Sequence, residues 1–138
     1  MAGEDSGRAA GGVQTVSRAA PVQTDEELES VKRYVLLGIV VRILDHDIRV
    51  VGSSKLKLPR FHESMLRGIQ DRVLLELAAI RKSFRISGIK VHEERREADG
   101  LTVTYVCRGY HHKFTMLWGY VCAEAERLLK EDVQKFRL

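Results

Sequence analysis

From Tyr34 to Val41 every residue but Gly38 is apolar, and the run reaches Leu44 with Arg42 as its one charged interruption. A helix with no polar face must be covered on every side, by the rest of its own chain or by another. The run is about half the ~20 residues a membrane-spanning helix needs, so protein has to supply the cover. Its shape is set by what precedes it. Thr24 is a good N-cap, Asp25, Glu26 and Glu27 suit the positive end of a helix, and Thr24 and Glu27 have capping-box spacing. Leu28, Val31, Val35 and Ile39 then recur at helical intervals, which predicts helix 1 from Asp25 to about His46. On local propensity the β-branched stretch also fits a buried strand; the acidic cap and the length favour the helix. Helix 1 is then either the centre of the core or a self-association surface. In the second case Leu36, Val40 and Ile43 carry the contact and the chain is a homodimer.

The rest of the chain supplies two more helices and a hairpin. Arg49 to Leu58 contains Gly52-Ser53-Ser54 and reads as a connector, with Pro59 suited to a first helical turn. Leu66, Ile69, Val73, Leu77, Ile80 and Phe84 form an amphipathic stripe, predicting helix 2 from Arg60 to Ile86 with Gly88 as its stop. Ile89 and Val91 on one side, and Leu101, Val103, Tyr105 and Cys107 on the other, predict a β-hairpin. An Ala98-Asp99-Gly100 loop with Gly100 left-handed would set Glu97 opposite Leu101 and Val91 opposite Cys107, gathering the apolar residues on one face. Helix 3 is expected from near His112 to about Phe136, with Phe114, Leu117, Val121, Cys122, Ala125, Leu128 and Leu129 as its apolar stripe.

The expected fold is therefore α+β, in the order helix, helix, β-hairpin, helix, with a two-stranded antiparallel sheet resting on the helices because such a sheet is marginal alone. Residues 1–23 are Gly, Ala, Ser and isolated charges without apolar periodicity, so they are expected to be disordered ahead of one domain at 24–138.

Charge is unevenly placed. The formal net charge is +4, yet residues 49–96 carry 12 basic and 5 acidic groups, and the remaining segments balance or lean acidic. At 100° per residue Arg60, Arg67, Arg81, Lys82 and Arg85 share an arc opposite the apolar stripe of helix 2. Arg108 and Lys113 add charge around the hairpin, where Arg108-Gly109-Tyr110-His111-His112-Lys113-Phe114 interleaves bases with aromatics. These seven basic residues are candidate polyanion contacts, and nucleic acid is the polyanion they suggest. An ordinary solvated helix face and a wet strand-to-helix corner account for the same residues.

Little points to catalysis or a cofactor. No phosphate loop, dinucleotide fingerprint or nucleophile elbow occurs. Cys107, His111, His112 and Cys122 lack the short paired spacing of a zinc site, and Asp45-His46-Asp47 cannot converge on a helix. Both cysteines fall on predicted buried faces, as small hydrophobes in a reducing compartment would. Met1 to Val22 holds no continuous apolar stretch of the secretory kind. The expectation is a cytoplasmic interaction or adaptor domain, with nucleic-acid binding as the alternative; no metal, cofactor, small-molecule or membrane partner is expected.

Overall fold

The computed structural model describes residues 24–135 together with the backbone of Val13–Thr15. The stretch expected to be disordered lies otherwise outside the described residues. Val13–Thr15 itself is a short strand, β1, followed by helix α1 at Asp25–Gly52 and helix α2 at Pro59–Ser87. Strands β2 (Ile89–Arg96), β3 (Gly100–Cys107) and β4 (Tyr110–Leu117) lead into helix α3, Trp118–Gln134.

The start of α1 follows from its cap. The Glu27 N–H donates to Thr24 Oγ1 at 3.0 Å, and the Thr24 N–H donates to Glu27 Oε1 at 3.1 Å. The helix outlasts its expected end because Ile48 is still buried, and Ser53 and Ser54 stop it by donating their hydroxyls to Val50 and Val51 carbonyls. Pro59 opens α2, and Gly88, at φ 77°, closes it with its N–H on the Phe84 carbonyl. Gln70 Nε2 donates to the Val41 carbonyl and to Asp45, and Tyr34 packs on Phe84, so α1 and α2 run antiparallel.

The sheet is larger than a hairpin. Its order is β1-β4-β3-β2, antiparallel throughout, so β2 and β1 are its edges. Residues 110–117 form β4 where a helix was expected. His112, Phe114 and Met116 alternate inward, with Phe114 opposite Val103 and Met116 opposite Leu101. The helix begins only at Trp118, whose N–H donates to the Asp99 carbonyl and whose indole N–H donates to the Glu97 carbonyl. With α3 starting there, Val121, Ala125, Leu128 and Asp132 face inward and Cys122 is exposed, correcting the expectation that both cysteines are buried.

The hairpin register also differs. Ile89 pairs with Cys107, Val91 with Tyr105 and Arg96 with Leu101, with a bulge between Val91 and Glu93 that shifts the later pairs. Gly100 is not left-handed; it is needed because a Cβ there would lie 2.3 Å from the Met116 carbonyl oxygen on β4.

The core lies between one face of the sheet and the helices. Leu101, Val103, Tyr105, Cys107, Phe114 and Met116 form its sheet side, and α1 supplies Val31, Val35, Leu36, Leu37, Val40 and Leu44. The apolar helix is thus covered by its own chain. Among the described residues no helix is long and apolar enough to cross a membrane.

Candidate interaction surface

Helix α2 has three sides where an ordinary amphipathic helix has two. Ile69, Val73, Leu77 and Phe84 are buried. A second apolar row, Leu58, Phe61, Met65, Leu75 and Ile86, is exposed, with Leu75 at 73% and Ile86 at 81%. With Gly68, Arg72, Ala79 and Lys82 these positions repeat at alternating intervals of three and four residues from the cap at Leu58 to Ile86. That is the spacing of a seam that meets another helix, here interrupted by the cations Lys82 and Arg72, the latter reaching Asp132 on α3 at 4.0 Å. At 100° per residue the seam lies roughly 120° around the helix from the buried row. Arg60, Arg67, Arg81 and Arg85 occupy the remaining side, all exposed.

The basic residues of that side are not equally available. Arg67 pairs with Glu63 at 2.9 Å, and the Arg81 guanidinium lies over the Tyr34 ring, 5.9 Å from its centroid. Arg60, Lys82 and Arg85 are exposed without an ion pair among the described residues.

The hairpin residues do not join this surface. Arg108 sits at φ 49° beside Gly109 at φ 89°, in the two-residue turn from Cys107 to Tyr110 that such angles permit. Its guanidinium donates to both carboxylate oxygens of Glu27, at 3.0 and 2.8 Å, and to the Ser87 carbonyl at 2.7 Å. The Arg108 hydrogen bonds hold the Glu27 carboxyl down at about 2. Arg108 is therefore a clasp joining α1, α2 and the sheet, which removes it from the candidate polyanion contacts. Lys113 is exposed, but it alternates with buried His112 and Phe114, so it lies on the sheet face turned away from the helices. Arg108 and Lys113 therefore do not extend the basic side of helix 2.

The self-association residues are also redistributed. Leu36 and Val40 are buried in the chain's own core, at 4% and 0% exposure, and are not on a surface that a second copy could reach. Ile43 is half-buried and borders a cleft toward Arg96.

The remaining candidate chemistry is structural. Cys107 is fully buried and burial raises its thiol pKa, with the Glu27 carboxylate adding to the rise. His112 is 3% exposed, its ring stacks on Tyr105 at 5.1 Å, and neither ring nitrogen has a hydrogen-bond partner among the described residues. Burial holds His112 below the usual imidazole range, with His111 adding to the effect. Among the described residues no group of three or more His, Cys, Asp or Glu side chains could hold a metal ion.

The architecture defines a class: an α+β domain whose helices cover one face of an antiparallel sheet. The chain belongs to the YhjD family, whose model, described as YhjD protein, matches residues 22–136. No curated protein and no solved structure matches it.

The exposed seam of α2 was the feature that sequence reasoning missed. Its signal is present, since Leu58, Phe61, Met65, Leu75 and Ile86 all fall on one three-four series, completed by Gly68, Arg72, Ala79 and Lys82, set to one side of the core row.

Proposed function

We propose that the protein is a non-enzymatic interaction domain whose docking element is α2, and that its partner is an acidic amphipathic helix. The observation that carries this reading is the exposed apolar seam of Leu58, Phe61, Met65, Leu75 and Ile86 beside a basic side. An amphipathic helix laid along the seam covers the apolar row, and its carboxylates meet Arg60, Lys82 and Arg85. This is the helix-on-helix mode of recognition, with the apolar row supplying affinity and the charges supplying orientation. We place the protein in the cytosol, where Cys107 and Cys122 remain thiols.

A designed peptide with Leu at heptad positions and Glu on its flanks tests the reading by calorimetry. Binding should be saturable and weaken at least tenfold in Leu75→Glu or Ile86→Glu, with the thermal midpoint unchanged. If the purified protein is a dimer that Leu75→Glu makes monomeric, a second copy covers the seam and the partner-helix reading falls.

A nucleic-acid strand is the second reading, favoured by Arg81 and Arg85 standing together beside Lys90. It requires a binding constant that falls linearly in log salt, at about −0.7 per phosphate neutralised on a single strand. Seam substitutions should then leave binding unchanged while Arg85→Gln weakens it.

A further inference from the structure

Two cavities border the edge strand β2, one where the end of α2 and Tyr34 of α1 meet it and one between it and α1. One, of about 220 Å³, is bordered by Tyr34, Arg81, Arg85, Lys90 and Val91. The other, of about 390 Å³, is bordered by Ile39, Arg42, Ile43, His46 and Arg96. The two walls run in step. Tyr34 to His46 advances about 18 Å along a helix, and Lys90 to Arg96 advances about 20 Å along a strand. Between the cavities stands Gly38, where an added Cβ would meet nothing within 4 Å. The open space at Gly38 leaves a path along β2 from one cavity to the other, a shallow groove.

The chemistry of the groove breaks the pattern of the fold around it. Glu94 and Arg96 pair with Val103 and Leu101, so they hold positions on the helix-facing side of the sheet where the neighbouring strands place core residues. Elsewhere most arginines are committed: Arg33 to Glu76, Arg67 to Glu63, Arg95 to Glu97, Arg108 to Glu27 and Arg127 to Glu124. Among the described residues Arg42, Arg85, Lys90 and Arg96 make no ion pair, and they stand at the two ends of the groove. Glu94 and Arg96 thus put charge where the neighbouring strands put a core, with Arg42 within electrostatic reach of Glu94 and Arg96 lying over the Trp118 ring; charge in such positions marks a site more often than a scaffold. β2 is also a sheet edge, so its outer N–H and C=O groups have no strand partner among the described residues.

We propose that this groove binds an extended acidic polypeptide segment, which adds as a strand beside β2 and lays its carboxylates on Arg85 at one end and on Arg42 and Arg96 at the other. A free edge next to a helix is the geometry of strand addition, in which backbone hydrogen bonds hold the peptide and alternate side chains read the groove. The bulge between Val91 and Glu93 confines regular pairing to Glu93–Arg96. Glu94 stands between the cationic ends and repels a carboxylate at the middle of the ligand. The preferred segment therefore carries acids at its ends and an apolar residue over Gly38 and Ile39. This site shares Arg85 with the basic side of α2 but does not depend on its apolar seam.

The test uses the full chain and the blocked peptide Thr-Glu-Thr-Val-Thr-Glu-Thr, whose two Glu and central Val share one side of a strand. Trp118, the single tryptophan, is the reporter, because the Arg96 guanidinium lies 4.8 Å from its ring centroid and moves when it takes a carboxylate. The peptide should change Trp118 fluorescence saturably. Arg42→Gln and Arg85→Gln, both exposed and free of ion pairs among the described residues, should each weaken binding by about tenfold, a loss of about 1.4 kcal/mol. Arg60→Gln should leave binding unchanged. Arg96→Gln, followed by calorimetry because it alters the reporter, should weaken it similarly. The same peptide N-methylated at alternate amides should not bind. The proposal is overturned if the N-methylated peptide or a thymidylate oligonucleotide binds as well as the parent, or if no saturable change appears up to millimolar peptide.

Discussion

Helices α1 and α2 are 28 and 29 residues long, lie antiparallel, and have exchanged the roles their sequences suggest. The more apolar helix looks like the one that needs a partner, yet it is surrounded by α2, α3 and the sheet, with Val31, Leu37 and Val40 at 0% exposure. The plainly amphipathic helix looks self-sufficient, yet it carries Leu75 and Ile86 almost wholly in solvent. The share of apolar residues in a helix sets how much cover it needs. Whether the cover comes from the same chain depends on where the other elements run, and a helix at the margin of a layer keeps one flank bare.

That contrast can be broken most forcefully at Val40. Val40→Lys places an unpaired charge in the centre of the core and should cost about 4 kcal/mol or more, read as a shift of the urea midpoint. A folded monomer arising from a wild-type dimer would instead return α1 to the surface between copies.

A smaller effect of opposite sign is expected beneath the covered side. His112→Phe keeps the ring stacked on Tyr105 and removes two buried nitrogens that lack partners among the described residues, so it should stabilise by about 1–2 kcal/mol. The wild type should lose stability as pH falls through 6.5, because the unfolded imidazole takes up a proton more readily than the buried one. His112→Phe should lose that slope, and its persistence would assign the dependence to another group.

At the start of α1, Glu27→Gln retains a capping-box side chain but not the charge that Arg108 grips. It should cost about 1 kcal/mol at neutral pH. The folded carboxyl is depressed from 4.5 to about 2, so its contribution is complete above 4.5 and fades as pH falls toward 2. The wild-type and variant melting curves should therefore converge across that window. The smallest effect is reserved for the bare helix: Leu75→Glu should change stability by about 0.5 kcal/mol or less while removing helix binding. A large destabilisation would mean that the seam is already covered.

Much of the fold was legible because its signals were local. The cap at Thr24, the stripe of α2 and the stop at Gly88 each depend on residues within a turn or two, and each is where expected. The misplaced start of helix 3 has a physical cause: Phe114, Leu117 and Val121 suit a helical period, while His112, Phe114 and Met116 suit a strand. Pairing with Val103 and Leu101 decides between them, and that pairing is not written in the segment itself. The hairpin register failed at two places, since the loop takes in Glu97 so that Arg96 faces Leu101, and a bulge near His92 adds a further residue that a face argument does not count. The basic side of α2 was readable, but the commitment of Arg108 to Glu27 was not, because it joins positions 81 residues apart.

That same clasp has a consequence for the order of folding. The α1–α2 pair and the β2–β3–β4 meander are each built from contacts between neighbours in the chain, whereas Glu27, Ser87 and Arg108 meet only after both are in place. Contacts of long separation that close late are absent from the rate-limiting barrier. Weakening the clasp should then quicken unfolding and leave the refolding rate nearly as it was. In a stopped-flow chevron, Glu27→Gln should move the unfolding arm alone, which makes the clasp a determinant of how long the native state lasts once formed.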